Sequence, residues 1–266
     1  MWPQLAAWSG LELVSPLAGG ARNPVHLARR GGERLVVRRS GRPEASLAWE
    51  LDLLAHLARH GVGVPAVVPA DDGRRHVDGV VVHAYVTGGR PDRAADWRRV
   101  VATLTRVHEL TTGWPQRPGF ASAADLLAAE RGGDVRLDLM PEEAVAVVRD
   151  AWRPVLVGPP CVVHADVGPG NIAVDGDRVT LLDWDEARVD VPWFDFALLP
   201  EVLPEAVALP PEAVALPVPV DRGTLVTAGA AWEAATCWAQ EPEYASRRLE
   251  ELRRRTVATG TTPERQ

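Results

Sequence analysis

The stretch from His164 to Asp185, H-A-D-V-G-P-G-N-I-A-V-D-G-D-R-V-T-L-L-D-W-D, constrains the fold more than any other part of the chain. Two short apolar runs, Ile172–Val174 and Val179–Leu182, flank a turn at Asp175-Gly176-Asp177. That pattern predicts a tight β-hairpin, and a tight hairpin returns its ends to one place. Asn171 precedes the first strand and Asp183 ends the second, so the two are expected side by side. Asp166 lies on the loop just before them. An amide and two carboxylates gathered in this way suit a hard cation such as Mg²⁺ with a phosphate on it. Each residue also has an ordinary reading: Asp-Gly-Asp is common turn chemistry, and Asn171 can merely cap a turn.

What lifts the segment above turn chemistry is that His164, Asp166, Asn171 and Asp183 occur together, in the order and spacing of a kinase catalytic loop and its metal-binding Asp. H-A-D-V-G-P-G-N followed by L-L-D-W-D-E-A resembles the core of the aminoglycoside phosphotransferase family, the small-molecule branch of the protein-kinase-like fold. The family pattern is H-G-D-x-H-P-G-N and then I-D-W-x-x-A. Ala165 stands where Gly is commoner and Gly168 where His is commoner.

The resemblance implies an α+β, bilobal protein-kinase-like fold. An N-terminal antiparallel-sheet lobe with one helix is expected over 1–82, a hinge over 83–89, and a larger, mostly helical catalytic and substrate-binding lobe over 90–255. It implies Asp166 as the catalytic group for the acceptor hydroxyl and Asn171 with Asp183 for Mg²⁺. His164 and Asp195 are implied as loop supports. Asp185 is either exposed or near the metal. ATP or GTP is the implied co-substrate, and the activity implied is transfer of its γ-phosphate to a small-molecule hydroxyl. A resistance-type enzyme acting on an aminoglycoside or another antibiotic, and a choline, sugar or amino-alcohol kinase, both fit. A nucleotide-binding pseudokinase is the alternative from another class, and the absence of lysine is the argument for it. A metal-dependent hydrolase lacks a His ligand cluster.

Composition narrows the setting. The 266 residues are 46% apolar, a normal share for a packed core. No run long enough to span a membrane is present, and the first residues lack the basic and apolar regions of a secretory signal. Two cysteines are too few for a disulfide framework, so a cytoplasmic setting is expected. A net charge of −7 speaks against nucleic acid and mildly for a cationic substrate. A monomer or homodimer is expected, with no membrane partner. All 29 Lys+Arg residues are Arg, so a phosphate contact made elsewhere by Lys must be made here by Arg.

Residues 9–38 read as a three-stranded meander: Leu11–Val14, Val25–Arg29 and Leu35–Arg38. Gly19 and Gly20 sit between the first two strands, where the resembled fold covers the nucleotide phosphates. Val36 and Arg38 share one face of the third strand. The resemblance puts Val36 against adenine and Arg38 in the place of the phosphate-binding Lys. Helix Pro43–His60 follows, closed by Gly61. Glu50 lies on or beside its apolar face, where a carboxylate needs a partner, and Arg38 is the obvious one. Glu44 and Asp52 are the alternatives. Val67–Pro69 and Val80–Tyr85 read as strands. Ala84, Tyr85 and Val86 are the implied hinge, where only main-chain atoms would read the base.

Beyond Pro91 the spacing becomes helical, over Asp92–Leu110, Ala123–Arg131 and Pro141–Val157. His108 lies in an L-T-R-V-H segment similar to the family's and reads as structural. Cys161–Val163 is a buried strand leading to His164. A direct repeat, P-E-A-V-A-L-P twice over 204–217, lengthens a loop or splits a helix. One last helix is expected over Arg222–Arg254, then a frayed tail over 256–266. Glu201, Glu205, Glu233 and Glu241 are the acidic residues available to a cationic acceptor.

Overall fold

Gly31 and Gly32 both take positive φ, 53° and 90°, the two-residue turn that matches the twist of flanking antiparallel strands. That turn joins strands β2 (Val25–Arg30) and β3 (Glu33–Arg39), with β1 (Leu11–Pro16) on the far side of β2 and β4 (Val80–Ala84) beside β3. The sheet is antiparallel throughout, in the order β1-β2-β3-β4. The computed structural model describes residues 2–17, 23–197, 199, 217 and 219–259. Gly19, Gly20, Glu201, Glu205, most of the duplicated segment and the end of the tail lie outside them.

Alternation along β3 decides what each face does. Leu35 and Val37 are buried with Trp8, Ala28, Val80 and Val82 in one core. Val36 and Arg38 point the other way, paired across the ladder with His83 and Val81. Helix α1 (Glu44–Arg59) follows β3 and buries Leu47, Leu51, Leu54 and Leu57. Glu44 in its first turn and Arg59 in its last suit the helix dipole. Val67–Pro69 is not a strand. It contributes one bridge, Val67 to His83, because Pro65 and Pro69 bracket it and remove ladder donors.

The chain divides into two compact units, Met1–Pro91 with Pro169–Asp185, and Asp92–Gly168 with Glu186–Gln266. The hairpin of the signature segment, Ile172–Asp175 with Arg178–Leu181, thus clusters with the N-terminal unit. Two glycines allow its close approach there. Gly63 bridges to Thr180, and a Cβ on Gly63 would lie 2.1 Å from the Val179 carbonyl oxygen. Gly89 bridges to Val174, and a Cβ on neighbouring Gly88 would lie 2.8 Å from the Val174 oxygen.

The second unit contains α2 (Ala94–Leu110), α3 (Glu142–Trp152), α4 (Arg222–Cys237) and α5 (Pro242–Thr259). It also pairs strand Cys161–Val163 with Arg188–Asp190. Its core gathers Trp152, Phe194, Trp232, Leu249 and Leu252. Arg188 and Asp190 are buried inside it as an ion pair at 3.0 Å, with the guanidinium 3.4 Å from the Trp232 ring centroid. Burial drives the Arg188 pKa down and that of Asp190 up, each opposed by the other's charge.

Two helical expectations fail in this unit. The single helix Arg222–Arg254 is two, α4 and α5, because Pro242 opens a new helix where it cannot continue the old one. Ala123–Arg131 holds one 3₁₀ turn, Asp125–Leu127, before Arg131–Gly132 pairs with Val135–Arg136. Reciprocal bonds between Ser122 and Asp125 close that turn. Asp195 closes a 3₁₀ turn, Pro192–Asp195. Among those residues no helix is long and apolar enough to cross a membrane.

Candidate functional site

The N-terminal unit brings four of the singled-out side chains together. Arg38 on β3 donates through Nη2 to Glu50 Oε1 on α1, both groups being buried. Its other terminal nitrogen, Nη1, lies 3.6 Å from Asp183 Oδ1 and 3.6 Å from Asp185 Oδ1. Burial alone would lower the Arg38 pKa, but the charges of Glu50, Asp185 and Asp183 outweigh it and raise the value, so the guanidinium stays charged. Asp52, one alternative partner, pairs instead with Arg75 at 2.8 Å.

The hairpin ladder carries Asn171 to the same end as Asp183: Ile172 pairs with Leu181, and the Leu182 N–H donates to the Asn171 carbonyl at 2.8 Å. Asp183 takes φ 53°, a left-handed conformation that Asp tolerates better than most residues. Trp184 is buried, its indole N–H donating to the Leu181 carbonyl at 3.0 Å. The Asp183 side chain is 40% exposed. Among the described residues no three His, Cys, Asp or Glu side chains form a metal cluster. Asn171 and Asp183 are hard oxygen donors of the kind Mg²⁺ takes when phosphates and water fill its other positions.

Asp185 is neither exposed nor open: it is 6% exposed, and its Oδ2 accepts from Arg42 Nε at 3.1 Å and Nη2 at 2.7 Å. Arg42 is the residue that sequence reasoning missed. Three arginines lie between positions 38 and 42, and nothing in their pattern singles out the last.

On the base-binding side, Val36 is half-buried opposite His83. Burial first, and the Arg38 charge second, push the His83 pKa down to about 3, so this imidazole is neutral. The Ala84 N–H donates to the Ala66 carbonyl and the Tyr85 N–H to that of Arg34, which commits both amides. The Arg34 guanidinium also stacks on the Tyr85 ring at 4.2 Å. Val86 follows directly.

His164 and Asp166 belong to the other unit, and Asp195 organises their loop. Its carboxylate accepts from His108 Nε2 at 2.7 Å, from the His164 N–H at 3.0 Å and from the Ala165 N–H at 2.8 Å. Burial opposes its charge, and the His108 bond and charge, with His164 and Ala165, overcome that and lower the pKa. His164 Nδ1 accepts from the Asp166 N–H at 3.3 Å, and the Asp166 side chain is exposed. Ala165 has φ 69°, which explains why glycine is the commoner residue there. Glu233 is engaged with Tyr244 at 2.8 Å and Arg248 at 2.5 Å, whereas Glu241 is exposed.

Residues 13–252 match the phosphotransferase enzyme family, APH. The chain belongs to that family. A homoserine kinase of Rhizobium meliloti (strain 1021) is 30% identical over 167 residues, 57% of this chain. The match spans about half, 51%, of that relative's length. A microcompartment-associated aminopropanol kinase shares the fold with a TM-score of 0.61 at 20% identity, covering 96% of each chain. A thermostable mutant of the aminoglycoside phosphotransferase APH(4)-Ia gives 0.64 at 13%, covering 94% of this chain and 96% of its own. The α+β protein-kinase-like fold of APH enzymes is therefore this chain's fold.

Proposed function

We propose that this APH-family protein is a small-molecule kinase, transferring the γ-phosphate of ATP or GTP to an alcohol oxygen. The observation that carries the reading is the Arg38–Glu50 ion pair with the Asp183 carboxylate 3.6 Å from the same guanidinium. A strand cation, a helix carboxylate and a metal-type Asp converging in one unit are the parts that phosphoryl transfer needs for positioning and charge neutralisation. Arg38 then contacts the nucleotide phosphates, with Val36 and the Ala84–Val86 segment on the base. Gly19 and Gly20 complete the phosphate cover. Asn171 and Asp183 hold Mg²⁺, which supplies neutralisation of the phosphate oxygens. Asp166 accepts the acceptor's hydroxyl proton, while His164 and Asp195 keep its loop in place.

A small amino alcohol is the proposed acceptor, ahead of a polycationic antibiotic. Supporting this, a curated relative at 30% identity is a homoserine kinase, and Glu233 is already matched by Arg248 and Tyr244. The cytoplasm is the proposed compartment, in keeping with two buried free thiols, Cys161 and Cys237. The pseudokinase reading draws on one observation, the Arg38 charge lying beside Asp183. Asp166→Asn separates the two. A kinase loses transfer, by on the order of 10²-fold or more, yet keeps Mg·ATP affinity; a pseudokinase has no transfer to lose.

A further inference from the structure

A lysine ammonium is one compact charge and needs one carboxylate. A guanidinium is a planar fork whose terminal nitrogens point in different directions. Here one tine, Nη2, is taken by Glu50, and the other, Nη1, faces the hairpin end. With Arg38 only 7% exposed, the charge on that second tine is shielded from water and attracts whatever carboxylate lies nearest. Asp183 and Asp185 stand at the same 3.6 Å from it.

The two carboxylates are held differently. Asp183 is 40% exposed at its side chain and sits on a left-handed turn. Asp185 is 9% exposed, and Arg42, itself 14% exposed, grips its Oδ2 through two nitrogens. Gripping Oδ2 leaves Oδ1 as the oxygen turned toward Arg38. The buried Trp184 between the two acids anchors that stretch through its bond to Leu181.

We infer that Arg42 and Asp185 are positioning residues that make arginine workable at position 38: the clamped Asp185 takes the second tine of the Arg38 fork and so leaves Asp183 available to the metal. The inference rests on the proposed role of Asp183 in holding Mg²⁺. It assigns Asp185 to the arginine and not to the metal, and it makes Arg42 useful only because residue 38 is arginine. Without the clamp, Asp183 would close onto Nη1 and bind the metal less well.

A double-mutant cycle tests this, because contacting residues couple and distant ones add. Wild type, Asp185→Asn, Arg38→Lys and the double variant are compared, with Arg42→Ala and Arg42→Lys alongside. The readout is the Mg²⁺ concentration that half-saturates binding of a fluorescent ATP analogue, followed by anisotropy, with turnover recorded separately. Melting temperature and circular dichroism identify any variant that has lost its fold, and the isosteric Asp185→Asn gives the primary comparison. In the Arg38 protein, Asp185→Asn and Arg42→Ala should each raise the half-saturating Mg²⁺ by about fivefold or more, and Arg42→Lys by less. In the Arg38→Lys protein, Asp185→Asn should change it by less than about twofold. An equal rise in both backgrounds overturns the inference and makes Asp185 a metal contact. No rise in either background overturns it too. Failure of wild type to bind Mg·ATP at all overturns the proposed function, and this inference with it. Binding without turnover sinks only the transfer reaction.

Discussion

His83 lies on β4 across from Val36 and is only 8% exposed. Its pKa is held at about 3, by burial first and by the Arg38 charge second, against about 6.5 for a free histidine. With the folded value depressed, the neutral imidazole contributes its full stability above about pH 6.5. That contribution is lost as pH falls toward 3, because the unfolded chain takes up a proton that the folded chain refuses. At pH 5 the loss is RT ln(1 + 10^1.5), about 2 kcal/mol. Since pH 5 lies well above the folded value, the figure is set almost entirely by the unfolded pKa. His83→Gln removes the titrating group. Urea unfolding of wild type and variant at pH 8 and pH 5 should therefore show the variant gaining about 2 kcal/mol relative to wild type on acidification. Imidazole resonances recorded between pH 7.5 and 5 should show no titration of His83 in the folded protein, and Arg38→Met should raise its pKa. A folded-state titration between pH 5 and 7, or equal relative stability of His83→Gln at both pH values, refutes the placement of this ring beside a buried charge.

Three further outcomes follow from the same geometry. Glu50→Gln removes the first partner of a buried guanidinium, which should cost about 3 kcal/mol in urea unfolding and weaken nucleotide binding. Asp195→Ala strips two hydrogen bonds from the loop around Ala165 and a third from His108 on α2. It should lower the transfer rate more than tenfold, by order of magnitude, while nucleotide affinity shifts by less than about twofold, a split read from steady-state kinetics. Ala165→Gly relieves a left-handed alanine but adds freedom to the unfolded chain, so stability should change by no more than about 0.5 kcal/mol.

The hairpin and its flanking residues were legible because they are local: turn chemistry and two short apolar runs specify that Asn171 and Asp183 share an end. The Arg38–Glu50 pair was legible for another reason, since strand alternation and helix periodicity each leave one charged residue facing inward. Arg42 was not legible. Its role depends on Asp185, 143 residues away in sequence, and no spacing rule connects them. The broken C-terminal helix was readable in principle from Pro242, but apolar residues on both sides kept the helical period running through it. The 3₁₀ turn at Asp125–Leu127 shows a local Ser–Asp exchange winning over helix propensity.

The most direct test of the account is ³¹P NMR of wild type and Asp166→Asn incubated with Mg·ATP and a panel of small amino alcohols and aminoglycosides. The account predicts a new phosphomonoester signal and stoichiometric ADP with at least one amino alcohol for wild type, and neither for Asp166→Asn despite intact Mg·ATP binding. A phosphomonoester formed equally well by Asp166→Asn would contradict it, as would Mg·ATP binding by wild type with no phosphorylated product from any acceptor.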